Sequence, residues 1–553
     1  MSLKSLRPEQ RAEKPPQDGS NNQNACSNEE ITKNLATLVD STDFYSTEAV
    51  LRLDPGCRSV LGQYMTPAPI ARFMASLFTN LTGELRVLDP GAGVGSLTAA
   101  LVERLSESNS NFNSVELVAF EIEPVLTMYL QNTLLAAKKH LRDAQIEVTF
   151  EIFKEDFIQS CSEECKVGVF SAQASSRRKF THVIMNPPYK KISSSSVHRS
   201  ALRNAGIETS NLYAGFMALA VQYLCEGGEL VAIVPRSFCN GAYFKSFRDY
   251  FFSKMTLRHI HVFEQRNNAF KRDEVLQENM ILHAIKEQRS PKVMVTTSND
   301  GQFVRDDESH EWVGESMTQH AVEYRSIIDP DDSDCMVHVI SNDIEQHIAD
   351  RIAQLKTPLG SLDLSVSTGP VVDFRLKDHL RFEATSETAP LLYPAHFLNQ
   401  VLEWPKTMKK PNAIVVSNSS QKWLWENNGF FVVTRRVTSK EERRRIVASI
   451  YASDLPGPLI GFENHLNVFH VDRRGMTQNL AKGLCIYLNS TLVDRYFRQF
   501  NGHTQVSAAD LRSLKYPDRE TLERWGKCVG DSVPSQQEID DLIEEEFTRM
   551  ATD

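Results

Sequence analysis

The sequence predicts an α/β fold: a doubly wound, mostly parallel sheet over residues 46–290, followed by a mixed α/β domain over 345–525. Three observations carry this. From about residue 60 to 290, short β-rich runs alternate with longer helical ones, the rhythm of a parallel sheet covered on both faces. After about 290 that rhythm stops and short apolar runs, aromatics and basic residues interleave. The length, 553 residues, suits two or three domains at roughly 100–200 residues each.

In order, "LRVLDP" (85–90) is a strand that runs into a glycine turn, and "SLTAALVERLSE" an amphipathic helix. "VELVAFEI" and "VLTMYLQNTLLAAKKHL" repeat the pair, and "IEVTFEIF" and "FTHVIMNPP" are the next two strands. "NLYAGFMALAVQYL" is helical, "GGELVAIVP" a strand and "YFKSFRDYFFSK" helical. "LRHIHVF" and "ENMILHAIK" close the sheet as a pair, which makes seven strands. Outside these units, residues 1–45 read as a disordered polar leader and 291–344, with the acidic turn "DPDDSD", as a connecting segment. Residues 526–553 read as an acidic C-terminal tail, in which "EIDDLIEEEF" is a terminal helix with a solvated face.

Composition narrows the class. No apolar run approaches the ~20 residues of a membrane span, and the N-terminus has no secretory signal. The nine cysteines are scattered; Cys161 and Cys165 form a C-x3-C without companions, so no metal is expected and a reduced, cytoplasmic chain is. Net charge is −10, yet residues 370–520 hold 21 Lys+Arg against 15 Asp+Glu, a basic stretch in an acidic protein.

The chemistry gathers at the strand ends, where open parallel sheets bind ligands. "VLDPGAGVGSL" places Asp89 before Gly91, Gly93 and Gly95, a turn that lets a ligand approach backbone and a helix N-terminus. The spacing is not that of a P-loop. Glu121 ends the next strand, where a carboxylate suits ribose hydroxyls. Asp156 and Phe157 follow the third and suit an exocyclic amine and an adenine ring. Singly each acid is an ordinary cap; at three successive strand ends they suit a nucleoside without a pyrophosphate, such as S-adenosylmethionine.

The fourth strand ends in Asn186-Pro187-Pro188-Tyr189. Taken alone this is a strand-ending turn, since neither proline can donate to a ladder. Beside a cofactor pocket it has a use. An aromatic amine is a poor nucleophile; the Asn186 side-chain oxygen and the Pro187 carbonyl can each accept one of its hydrogens and turn its lone pair toward a methyl donor. Tyr189 offers a face for the base to stack on.

With these motifs in this order, the chain resembles the gamma-class N6-adenine DNA methyltransferases, Taq-type or Eco57I-like modification enzymes. The resemblance implies a class I methyltransferase sheet, S-adenosylmethionine as cofactor and double-stranded DNA as partner. "GQYMTPAPIARFMASLF" resembles the first cofactor motif of that class, which implies that Tyr64, Thr66 and Pro67 lie by the methionine end. "NNAFKRDEVLQENMIL" resembles the segment whose aromatic stacks on the flipped base, which nominates Phe270 ahead of Phe263. It further implies a C-terminal target-recognition domain, a monomer, and a separately encoded restriction endonuclease as a partner. Asn, Gln and Arg read base edges best; in this domain Lys422, Arg435, Arg436, Arg443, His503 and Gln505 are the DNA-binding candidates, the last two on a turn aimed at a groove. Methyltransferases of RNA or of a protein glutamine share Asn-Pro-Pro-Tyr and are the alternative.

Overall fold

The computed structural model describes residues 37–53, 65–107, 112–165, 178–264, 278–287, 290–306, 309, 312–398, 400–530 and 533–552. Seven strands form the expected core: β1 (Gly83–Pro90), β2 (Phe112–Phe120), β3 (Glu147–Phe153), β4 (Phe180–Met185), β5 (Leu224–Pro235), β6 (Thr256–Phe263) and β7 (Asn279–Ile285). Their order is β6-β7-β5-β4-β1-β2-β3, parallel except for β7, which runs antiparallel to both neighbours. The order reverses between β1 and β4, so the carboxyl ends of these two strands flank the crevice where such sheets bind ligands.

The sheet is two strands wider than the seven expected. β8 (Lys292–Ser298) pairs parallel to β6, and β11 (Thr318–Glu323) pairs antiparallel to β8; between them β9 (Phe303–Arg305) and β10 (Trp312–Gly314) make a separate hairpin. Residues 291–323 thus supply four strands, where a connecting segment was expected. The cause is the edge that β6 would otherwise expose, a row of unpaired main-chain groups that "KVMVTTS" covers. The helix Leu38–Arg52 also crosses the expected boundary at 45, and packs Ala49 and Leu53 against Val94, Leu126 and Tyr129.

Two cores lie on the two faces of the sheet. One holds the helices Phe157–Cys165, Leu212–Tyr223 and Lys245–Phe252; the other holds Ala68–Ser76, Ser96–Glu107 and Pro124–Asp143. Gly95, at φ +91°, ends the glycine turn against the latter face, where a Cβ would meet Leu130 and Thr133 at 3.0 Å. Only glycine tolerates both the angle and the approach.

The C-terminal half builds a four-stranded and a five-stranded sheet with helices beside them. Its acidic tail is not a free appendage. The helix Gln536–Thr552 buries Ile539, Ile543 and Phe547, spaced by four, in the same core as Leu484 and Trp525. Among the described residues no helix is long and apolar enough to cross a membrane.

Candidate active site

At the carboxyl edge of the sheet lies a cleft of about 550 Å³, within the ~300–1,000 Å³ typical of small-molecule sites. Gly91, Gly93, Glu121, Asp156, Phe157, Asn186 and Pro188 all line it. Residues read from four separate strand ends thus meet in one place.

The glycine turn is held by the neighbouring strand: Gly91 and Ala92 donate to the Phe120 carbonyl, both at 2.9 Å. Gly93 N–H donates to Glu121 Oε2 at 2.9 Å and Glu123 N–H to Glu121 Oε1 at 2.8 Å. Glu121 is 3% exposed, and burial raises its pKa although these main-chain donors oppose the rise. Asp89 is more deeply placed. Thr98 Oγ1 donates to its Oδ2 at 2.7 Å, Oδ1 has no partner, and burial pushes its pKa up to about 7.

Phe157 closes the apolar wall, edge-on to Phe120 at 5.2 Å between ring centroids. Asp156 accepts from Gln159 N–H at 2.8 Å, and its Oδ2 lies 2.8 Å from His198 Nε2. Burial would raise the Asp156 pKa, but His198 and the main-chain donors of Gln159 and Ile158 together outweigh it and the value falls; the His198 hydrogen bond also raises the His198 pKa. His198 was invisible in the sequence. It belongs to no motif, and its helix Val197–Asn204 was not expected.

The end of β4 carries the centre of the site. Asn186 Nδ2 donates to Thr66 Oγ1 at 3.0 Å, which orients the amide so that Oδ1 faces the Tyr189 hydroxyl, also at 3.0 Å. That hydroxyl lies 3.0 Å from the Ile233 carbonyl as well, so one proton serves two acceptors. Thr66, expected only beside a cofactor, thus also fixes the carboxamide. Pro67 caps the helix Ala68–Ser76. Tyr189 is 9% exposed, set edge-on to Tyr213 at 6.2 Å.

Tyr64 and Phe270 lie outside the described residues. Phe263 is 4% exposed and packs on His261 at 4.8 Å in the sheet core, so it does not serve as the stacking partner.

The DNA-reading candidates divide. Lys422, Arg443 and Gln505 are exposed, with Lys422 Nζ over the Trp423 ring at 4.6 Å. Arg435 is paired with Glu442, and Arg436 Nη1 donates to the Asn464 carbonyl at 3.1 Å. The expectation that His503 projects into a groove is corrected. It is half-buried and lines a second cavity with Tyr189, because the 501–503 turn is folded back onto the sheet domain. Arg445 is 1% exposed and tethers that turn through Asn501 Oδ1 at 2.8 Å and the His503 carbonyl at 2.5 Å.

The Eco57I restriction-modification methylase family matches residues 93–270. The chain is 43% identical over 492 residues to the type II methyltransferase M.BsuBI of Bacillus subtilis, covering 88% of this chain and 94% of that one. It is 40% identical over 522 residues to the type II methyltransferase M.PstI of Providencia stuartii, covering 93% and 98%. Among solved structures it is similar to the type IIL restriction-modification enzyme MmeI in complex with DNA, with a TM-score of 0.47 at 11% identity, covering 84% of this chain and 70% of that one.

Proposed function

The chain belongs to the type II DNA methyltransferases of restriction-modification systems, and from that premise we propose that it methylates the N6 amine of an adenine turned out of duplex DNA, using S-adenosylmethionine. Membership of that family removes the alternative of an RNA or protein-glutamine substrate. The observation that carries the adenine reading is the Asn186 carboxamide, clamped between Thr66 and Tyr189 and opening into the Glu121–Asp156 cleft.

The cleft fits the cofactor by its donor set. Glu121 presents a buried acceptor whose raised pKa two ribose hydroxyls would relieve. Asp156 is the acceptor for the adenine amine, and Phe157 offers its ring. S-adenosylmethionine, when bound, supplies a methyl group on a sulfonium. The protein's part is to present the nucleophile. Asn186 Oδ1 is a carbonyl oxygen with two lone pairs, so it accepts an amine hydrogen once the Tyr189 proton points to Ile233. The Pro187 carbonyl, fixed in direction by two consecutive prolines, takes the other hydrogen. The adenine amine lies paired within the duplex stack, so the base leaves the helix to reach these groups, at a cost of a few kcal/mol. Sequence choice falls to residues 345–525, where Lys422, Arg443 and Gln505 face solvent.

Sequencing that detects modified bases, run on DNA from cells expressing this chain, tests the proposal. N6-methyladenine at one short motif is the expected result; methylation on cytosine, or none, overturns it.

The Asp156–His198 pair adds a pH dependence. The raised His198 pKa makes the ion pair strongest below about pH 6.5, the ordinary histidine value, and it weakens as pH rises through the elevated value. The lowered Asp156 pKa keeps that carboxylate charged throughout this range. Affinity for S-adenosylmethionine, measured by calorimetry, is expected to improve from pH 6 to pH 9 as His198 releases Asp156. His198→Ala is expected to flatten the profile at the tighter value.

A further inference from the structure

The C-terminal half carries two aromatic–basic pairs that its own cores leave uncovered, Phe374-Arg375 and Arg381-Phe382. Phe374 is 63% exposed and Phe382 62%. One exposed ring is ordinary; two within nine residues, each beside an arginine, suit a partner that is both flat and anionic. The Arg375 guanidinium lies over the Phe374 ring, 5.4 Å from its centroid. Both pairs are fastened to one loop: Lys410 pairs with Asp373, and the buried Asn412 donates through Nδ2 to the Phe382 carbonyl at 3.2 Å. Asn412 also accepts from Lys406 N–H at 3.0 Å, donates to the Lys406 carbonyl at 2.9 Å, and through its own carbonyl accepts from Trp404 Nε1 at 2.8 Å. The rings therefore stand on a braced surface, and little freedom is lost when they are covered.

Charge points the same way. Residues 404–425 contain four lysines and no acid, and residues 373–383 balance three cations with three acids; seven cations against three acids leave the two segments at +4. Lys406 and Lys410 are paired with Glu403 and Asp373, while among the described residues Arg375, Arg381 and Lys409 have no acidic partner. A short ladder joins this surface to the catalytic edge. Asn464 N–H donates to the Val371 carbonyl at 2.9 Å, Arg436 N–H to that of His465 at 2.8 Å and Val506 N–H to that of Arg436 at 2.8 Å; three residues before Val506, His503 shares a cavity with Tyr189. Three ladder steps of ~4.8 Å and short runs of chain come to the order of one turn of duplex, ~34 Å, so one bound duplex can span both places.

We propose that Phe374 and Phe382 press into the base stack of the bound duplex while Arg375, Arg381 and Lys409 hold the phosphates beside them, so that the chain bends the DNA it methylates. The proposal rests on duplex DNA as substrate and goes beyond the methyl transfer. Apolar rings wedged between base pairs unstack a step and kink a duplex by about 20–90°. Pyrimidine–purine steps open most easily, so the rings add a preference at a step that no side chain reads by hydrogen bonding.

The experiment uses the full-length chain and a short duplex carrying the site read from its own methylated DNA, with a fluorescent donor and acceptor at its two ends. Wild type, the double variant Phe374→Ala/Phe382→Ala and the double variant Arg375→Gln/Arg381→Gln are compared for duplex affinity and energy transfer, with S-adenosylmethionine affinity and thermal midpoint as checks on the fold. Binding of wild type is expected to bring the duplex ends closer. The phenylalanine variant is expected to lose that change and to bind at least 10-fold more weakly. The arginine variant is expected to lower the slope of log affinity against log salt by about 0.9 for each phosphate contact removed. A wild-type complex whose duplex stays straight, or a phenylalanine variant that binds and bends as wild type does, overturns the proposal. A wild-type chain that binds no duplex defeats the reading of the substrate itself, and this proposal with it.

Discussion

Asn186→Ala is expected to reduce methylation of duplex DNA by about 10²–10⁴-fold while leaving S-adenosylmethionine affinity within a few-fold of wild type. The variant removes the oxygen that accepts one amine hydrogen and leaves the cleft walls, Glu121, Asp156 and Phe157, in place. Single-turnover rates and donor affinity measured on the same preparation separate the two effects. Equal rates in variant and wild type would remove this amide from the chemistry. Thr66→Val is the informative companion. It keeps the shape but deletes the acceptor for Asn186 Nδ2, so the amide can rotate; an intermediate rate loss, again without loss of donor affinity, is expected.

The second large effect is on stability. Glu229→Ala is expected to cost about 3–5 kcal/mol at pH 7, read as a shift of the urea midpoint. Glu229 is 1% exposed. It accepts from Thr79 N–H and Oγ1, both at 2.9 Å, from Asn80 N–H at 2.7 Å, and pairs with His283 Nε2 at 2.7 Å. Burial alone would raise its pKa, but the His283 and main-chain partners hold it down to about 2. A depressed carboxylate pKa stabilises the fold above the unfolded value near 4.3 and loses that contribution as pH falls toward about 2. The gap between variant and wild type is therefore expected to be level from pH 5 to 8 and to narrow below about pH 4. A second acid lability is coupled to Glu229, whose charge partly offsets the effect of burial on His182. Burial lowers the His182 pKa to about 4, so its stabilising neutral form is penalised once pH drops below the unfolded value of about 6.5. A gap that kept its full size at pH 3 would show that Glu229 acts by packing and not as a carboxylate.

Legibility in the sequence followed periodicity and proximity along the chain. The seven core strands were readable because each is a short apolar run bounded by turns. Asp89, Glu121, Asp156 and Asn186 were readable because each stands where such a run ends. β8 and β11 were not, because β8 answers a need of β6, more than twenty residues earlier, and β11 the edge that β8 leaves in turn, and neither follows a local pattern. His198 reaches Asp156 across 42 positions and Arg445 reaches Asn501 across 56; nothing in the neighbourhood of either residue announces its partner. The run Arg443-Arg444-Arg445 shows the limit well. Three identical side chains in a row take an exposed, a half-buried and a fully buried place: they lie in the bend before the strand Ala448–Tyr451, where Arg444 Nη1 donates to the Asn489 carbonyl and Arg445 is tied to Asn501. The tail is the terminal helix expected, with Glu538, Asp541, Glu544 and Glu545 on its solvated face; the three apolar residues spaced by four on its other face decide where it lies.

The extended segment after the acidic turn runs between the two halves: Val337 N–H donates to the Cys239 carbonyl and Val339 N–H to that of Gln499, both at 2.9 Å. Arg236, just beyond β5, adds hydrogen bonds to the carbonyls of Arg498 and Gln499 at 2.8 and 2.6 Å. A C-terminal half fastened this way to the sheet domain is no interchangeable cartridge. Exchanging the C-terminal half for another would break these hydrogen bonds and open the joint it makes with the sheet domain. Substitutions at solvent-facing side chains such as Lys422, Arg443 and Gln505 leave that joint untouched.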